Sequence, residues 1–289
     1  MRTLLFLFYT FSLSAQISGT IVNEKDEPIP YVNIWVQNEN IGTTSDEKGI
    51  FKINTNSEKI LVFSSVGFEG KKITIKDNEK VILKEAIYNL DEVAVTKRKQ
   101  NKEIEIGEAE RIHHKQLSGD KPWIYGKLFE YDSIYKATPY LKKIVFFSDS
   151  EKKDAKLKIR IFELRNSIPT NDILDEDLIV TVKRGMRKNE IDISKYNLRF
   201  PKNGIVIGLE WMIIEENKYA FEYKTYQTKK MVKMECYAPS LIVNYSKVEN
   251  SFNYSEGKWR RGKIFTTDKN DKPWYNTVMM PAINLILTN

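Results

Sequence analysis

The chain has 289 residues, 41 % hydrophobic and 29 % charged, which excludes a disordered polymer and allows one large or two modest domains. Its formal charge of +7 is unevenly divided: residues 16–96 carry 9 bases and 13 acids (−4), residues 97–119 carry 6 and 4 (+2), and residues 120–289 carry 30 and 22 (+8). One cysteine, Cys236, excludes an internal disulfide framework, so the core alone must hold the fold.

Taken in chain order, residues 1–16 show the layout of a secretory signal peptide. Arg2 precedes an apolar run from Leu4 to Phe11, and the small residues Ser12, Ser14 and Ala15 follow. The run is too short for a membrane-spanning helix, and no later stretch reaches about 18 uninterrupted apolar residues. Export and release near Gln16 or Ile17 are therefore expected, with no transmembrane segment afterwards. No cysteine follows the apolar run to accept a lipid anchor.

Residues 17–96 alternate short strands with turns, about seven strands in all. Val32, Ile34 and Val36 share one face of the second strand, and Phe51 and Ile53 share one face of a later strand. This spacing predicts a small β-sandwich. The stretch GTTSDEKGIFKI, residues 42–53, offers acids beside a glycine. Asp46 and Gly49 stand at the first and fourth positions that a type I turn favours. Lys48 occupies an alternate position where an EF-hand loop needs an oxygen ligand, so a turn is predicted rather than a calcium site.

These residues carry a resemblance. Gly19, Asp26, Pro28, Gly42, Asp46, Gly49 and Phe51, followed by Ser64 and Val66 to Phe68, resemble the carboxypeptidase-regulatory-like domain. That family is a transthyretin-like β-sandwich common in exported proteins of gram-negative bacteria. LDEVAV, Leu90 to Val95, resembles the segment joining this domain to the plug of TonB-dependent receptors. The resemblance implies a non-catalytic domain and no peptidase activity.

Residues 97–119 are charged and weakly apolar and read as a linker with one short helix. His113 and His114, the two histidines, fall here. From residue 120 to 289 strand patterns return. Ile205, Ile207, Leu209, Trp211 and Ile213 fall on one face of a long strand, and Val206, Gly208 and Glu210 on the other. Eight or more such strands, each with one wet face, predict a larger two-sheet β-sandwich of jelly-roll type. The runs KLKIRIFEL, IDISKYNLRFP and IVIGLEW also resemble a jelly-roll domain that follows the regulatory-like domain in such proteins. The expected fold class is all-β.

Catalytic spacings are missing. A zinc peptidase needs a third ligand beyond two adjacent histidines; Glu110 and His113 make a poor pair. No nucleophile elbow, P-loop or dinucleotide fingerprint occurs. Cys236 lies in a strand-like run and reads as a buried thiol. No enzyme, cofactor or metal site is expected, although 39 acids leave room for a carboxylate pair.

Binding chemistry remains. Trp123, Tyr125, Trp259 and Trp274 sit at expected strand ends or turns, and Arg260, Arg261 and Lys263 cluster beside Trp259. Aromatic rings stack on sugars and guanidinium forks hold acidic groups; the competing reading makes each aromatic a core residue. A further basic cluster, Lys183, Arg184, Arg187 and Lys188 around Gly185, reads as an exposed turn. The leading expectation is an exported binding or assembly protein of the periplasm or cell surface. Its partner is an anionic glycan, lipopolysaccharide or an outer-membrane protein, with no nucleic acid expected. Alternatives are an accessory component of TonB-dependent nutrient uptake and, last, a cryptic hydrolase.

Overall fold

The computed structural model describes residues 16–55, 59–86, 101–112, 114–225, 228–266 and 275–289. The expected signal peptide, the LDEVAV segment, His113 and Trp274 lie outside the described residues, with Gln16 alone of the signal assignment inside them.

The chain is all-β. Among the described residues the N-terminal part forms two small sheets. Ile17–Val22 is the centre of one, antiparallel to Ile50–Ile53 and parallel to Glu79–Ile82. Asn33–Val36 and Ile60–Ser64 are central in the other, flanked by Gly42–Thr44 and Lys71–Thr74. Alternation turns Ile21, Ile34, Phe51 and Phe63 into a shared core, where Phe51 meets Phe63 edge-on at 5.6 Å. Between the two sheets, Asp46 Oδ1 accepts from the Lys48 and Ile50 amides at 2.9 and 2.8 Å. Gly49 donates to Asp46 O at φ +71°. An added Cβ there would stand 2.5 Å from Ile21 O, so glycine is required by conformation and by space.

The larger part is a sandwich of two seven-stranded sheets among the described residues. One sheet runs from Ile168–Asp172 through Ala155–Arg165, Ile205–Trp211, Ile124–Phe129 and Ser251–Ser255 to Lys258–Arg261. The other runs from Val278–Pro281 through Ser240–Ser246, Tyr140–Ser150 and Ile283–Thr288 to Glu103–Ile106. Inward side chains such as Ile159, Ile207, Leu209, Phe146 and Leu285 fill the space between them.

Two expectations are corrected. The described part of the linker forms strands and no helix: Glu103–Ile106 pairs with Ile283–Thr288, and Lys115–Gln116 pairs with Ser240–Ser246. The alternation of Ile104 and Ile106 brings both against the main core, which anchors this segment to the sandwich. The second correction concerns the wet face. Every residue of Ile205–Trp211 is buried, because two further layers cover its outer side. Val206 lies under an outer cluster with Phe162, Phe252 and Trp259. Glu210 lies under Asn33 of the N-terminal domain.

Candidate functional site

Strand register builds the site. Tyr125 is directly opposite Asn253, and Asn253 is directly opposite Arg260, across three neighbouring strands. Directly paired residues share a face, so aromatic, amide and guanidinium form one row. The row begins beside Leu209 in the core and becomes polar toward the sheet edge. There it opens into a groove of about 630 Å³ lined also by Trp123, Lys263 and, from the N-terminal domain, Trp35 and Asn40. That volume is in the range of small-ligand sites.

Trp123 lies at the groove's inner end. It stacks on Trp211 at 4.4 Å, meets Tyr125 at 5.5 Å, and donates its indole N–H to Ser118 O at 2.6 Å. The Ser118 hydroxyl accepts the Tyr237 amide at 2.8 Å, which fixes that loop. Burial pushes the Tyr125 hydroxyl pKa well above its usual value, so the ring presents a neutral O–H. At the outer end Arg260 donates to Ser255 Oγ at 2.7 Å and Glu256 Oε2 at 2.8 Å. Lys263 pairs with Glu249 at 3.2 Å. Both pairs are largely exposed, so each contributes little to folding and exchanges its partner at small cost.

The structure separates residues that adjoin in sequence. Lys258–Arg261 is an edge strand, not a turn, and alternation sends Trp259 to the opposite face from Arg260. Trp259 packs edge-on against Phe162 at 4.9 Å and tilts on Tyr254 at 5.1 Å. It is a packing residue of the outer cluster and does not line the groove. Arg261 lies over the Phe252 ring at 5.7 Å and donates to Glu249 O at 2.6 Å, and it also lines the groove. Gly185, read as part of an exposed turn, starts the strand Gly185–Asp192 that carries Arg187 and Lys188. Cys236 is fully buried and its thiol pKa is raised by burial, which makes it a poor nucleophile.

Trp35, Asn40 and Asn253 are groove residues that the sequence reading missed. Asn33 and Trp35 project from the face of their strand opposite Ile34 and Val36, and that face is covered by the larger domain. Asn33 donates to the Glu210 carboxylate, which also accepts from Arg160 at 3.4 Å; Arg160 in turn forks onto Asp172. Burial, the largest influence on Arg160, works against its charge. The carboxylates of Asp172 and Glu210 outweigh it and hold the guanidinium pKa above the ordinary value.

Beside this array Lys158 donates to Tyr31 O at 3.1 Å and to Asp177 Oδ2 at 2.9 Å; Asp177 Oδ1 is as close but lacks hydrogen-bond geometry. Lys156 donates to the Tyr31 hydroxyl at 2.6 Å. The Ile213 amide donates to Thr44 Oγ1 at 3.1 Å. These bonds fix the N-terminal domain on the sandwich and thereby place Trp35 at the groove. An added Cβ on Gly42 would stand 2.9 Å from the Trp35 ring and 3.1 Å from Pro122, so the close approach at this junction also depends on a missing side chain.

Residues 17–95 match the family described as the CarboxypepD_reg-like domain, a regulatory, non-catalytic type. The N-terminal part of the chain is thus a domain of that class. A TonB-dependent receptor of Formosa agariphila is 31 % identical over 125 residues, 40 % of this chain and 12 % of the receptor. The TonB-dependent receptor SusC of Bacteroides thetaiotaomicron is 28 % identical over 85 residues, 29 % of this chain and 8 % of SusC. The matched stretches are therefore about a tenth of the length of these relatives. Among solved structures, the clostridial cysteine protease Cwp84 after propeptide cleavage aligns with 86 % of this chain and 51 % of its own. The TM-score is 0.40 at 12 % identity, too distant to bear on function. Among the described residues no helix is long and apolar enough to cross a membrane, and no group of three or more metal-binding side chains occurs.

Proposed function

We propose that this chain is an exported, non-catalytic binding protein of the cell envelope whose groove takes an anionic glycan. The observation that carries the reading is the row Tyr125–Asn253–Arg260 opening beside Trp123 and Trp35. Rings present flat apolar surface to a sugar, the Asn253 amide has both donor and acceptor atoms for hydroxyls, and Arg260 exchanges Glu256 for a ligand carboxylate or sulfate. Among the described residues lining the groove Asp120 is the one carboxylate, and it lies 3.7 Å from Lys121. Glycoside hydrolysis uses two, so binding suits this groove better than cleavage.

The test is titration of the full chain with uronate-containing and neutral oligosaccharides at two salt concentrations. Binding of the acidic series that weakens as salt rises supports the reading. Equal binding of both series removes the role of Arg260, and no binding of either at millimolar concentration removes the glycan.

A second reading, an accessory component of TonB-dependent uptake, is favoured by the likeness of the N-terminal domain to part of such receptors. Cross-linking in the envelope followed by identification of a receptor supports it; cross-links that contain no receptor contradict it.

A further inference from the structure

The groove adjoins two further clefts, and shared lining residues mark where each begins. One begins at Asn40, Asp120 and Lys121 and has a volume of about 780 Å³. The other begins at Arg261 and has a volume of about 620 Å³. Charge separates them. The first is lined by the carboxylates of Asp46, Asp120, Glu215, Glu216 and Glu235 against Lys52, Lys121 and Lys218, a net −2. The second is lined by Arg165 and Arg261 against Glu130, a net +1. A chain that carries acidic groups is repelled by the first cleft and drawn to the second.

The second cleft also offers donors that folding does not use. Leu128 and Leu164, nearly buried in the outer cluster, give it an apolar part, and two tight turns supply polar groups. Arg165 pairs with Ile168, and the two residues between them, Asn166 and Ser167, have φ of 51° and 61°. Two left-handed residues in such a connection make a type I′ hairpin, whose twist matches its strands. Asn203 lies on a turn closed by the Gly204 amide, which donates to Pro201 O at 3.0 Å. Among the described residues the side chains of Asn166, Ser167 and Asn203 make no hydrogen bond. Arg165 has a loose, exposed pair with Glu163 at 3.9 Å. Arg261 donates through Nε to Glu249 O, which leaves both Nη groups for a ligand. Amides, a hydroxyl and guanidinium groups held on closed turns suit the hydroxyls and carboxylates of a sugar acid.

We propose that the glycan taken by the groove is an extended acidic chain that leaves it over Arg261 and enters the cleft of Arg165, Asn166 and Asn203 as a second subsite. The inference rests on the glycan reading and adds to it the length of the ligand and its direction.

The test is calorimetric titration of the full chain with a disaccharide, a tetrasaccharide and an octasaccharide of one uronic acid. Affinity should rise about tenfold or more from the shortest to the longest, the effect of one further charge-assisted contact. Arg165→Ala with Asn203→Ala should remove most of that rise and leave the disaccharide unaffected. Both residues are exposed, so the melting temperature should hold. Arg260→Ala should weaken binding at every length, which separates the groove from its extension. Glu215→Gln with Glu216→Gln should preserve the rise. A rise that survives Arg165→Ala with Asn203→Ala, or that is lost on Glu215→Gln with Glu216→Gln, overturns the proposed direction. Equal affinity at all three lengths overturns the second subsite and leaves the glycan reading standing, whereas binding at no length ends both.

Discussion

Two regions of the molecule use the same chemical groups to different ends. At the domain junction Arg160, Asp172, Glu210 and Asn33 are enclosed, with the Arg160 and Glu210 side chains 14 % and 3 % exposed. At the groove rim Arg260 and Glu256 pair at 51 % and 35 %. An enclosed pair that loses one member leaves an uncompensated buried charge, so it resists rearrangement. An exposed pair is close to neutral in folding and can trade its partner. The junction therefore sets geometry, while recognition is the role proposed for the rim. Because Trp35 and Asn40 reach the groove from the N-terminal domain, the first region positions part of the second.

Substitutions can break this comparison, and the largest effect belongs to the junction. Arg160→Ala strands Asp172 and Glu210 and should cost about 3 to 5 kcal/mol in denaturant unfolding. A loss below about 1 kcal/mol would make the array no different from the rim. Lys127 gives a pH-dependent version of the same contrast. It is buried, donates to Ile283 O at 2.7 Å and to Gly107 O, and burial lowers its pKa to about 8 despite Glu108.

Because the folded pKa lies below the unfolded value of about 10.4, the unfolded chain binds more protons between these values. Stability should therefore rise with pH from about 8 to 10.4. The gain relative to Lys127→Met should be up to roughly 3 kcal/mol, read from unfolding curves of both proteins. A flat difference would contradict the burial cost.

Trp259→Ala should cost about 2 to 3 kcal/mol, since the ring fills the outer cluster against Phe162 and Phe252, and it should leave glycan affinity unchanged. Gly49→Ala should cost about 1 to 3 kcal/mol, from its left-handed φ and the nearby Ile21 carbonyl. Thermal unfolding measures both. A Trp259→Ala protein of normal stability and lost affinity would return this residue to the binding surface.

The sequence made one layer of this fold legible and was silent about the next. Alternation identified Val32, Ile34 and Val36 as one core face, and all three are buried in the small sandwich. It equally identified Val206 and Glu210 as the opposite face of Ile205–Trp211, but periodicity carries no information about a second covering layer. Glu210 is buried because Asn33, 177 positions away, lies over it. Tyr125 and Arg260 were singled out by residue type, while the register that aligns them through Asn253 is a tertiary property. Trp259 was grouped with Arg260 by adjacency, although the KWRR run carries a strand pattern whose alternation parts them. The Ile104–Ile106 alternation was likewise present in the sequence, hidden among the charges that suggested a linker.

The central claim is that the inner-face row, and not the outer-face tryptophan, recognises the ligand. It is tested most directly by the affinity of Arg260→Ala for a uronate-containing oligosaccharide, measured calorimetrically beside the wild type. One charge-assisted contact contributes about 1.5 to 3 kcal/mol, so a loss of about tenfold or more is predicted, with the melting temperature nearly unchanged. Wild-type affinity in that variant, with the ligand still bound, would contradict the account.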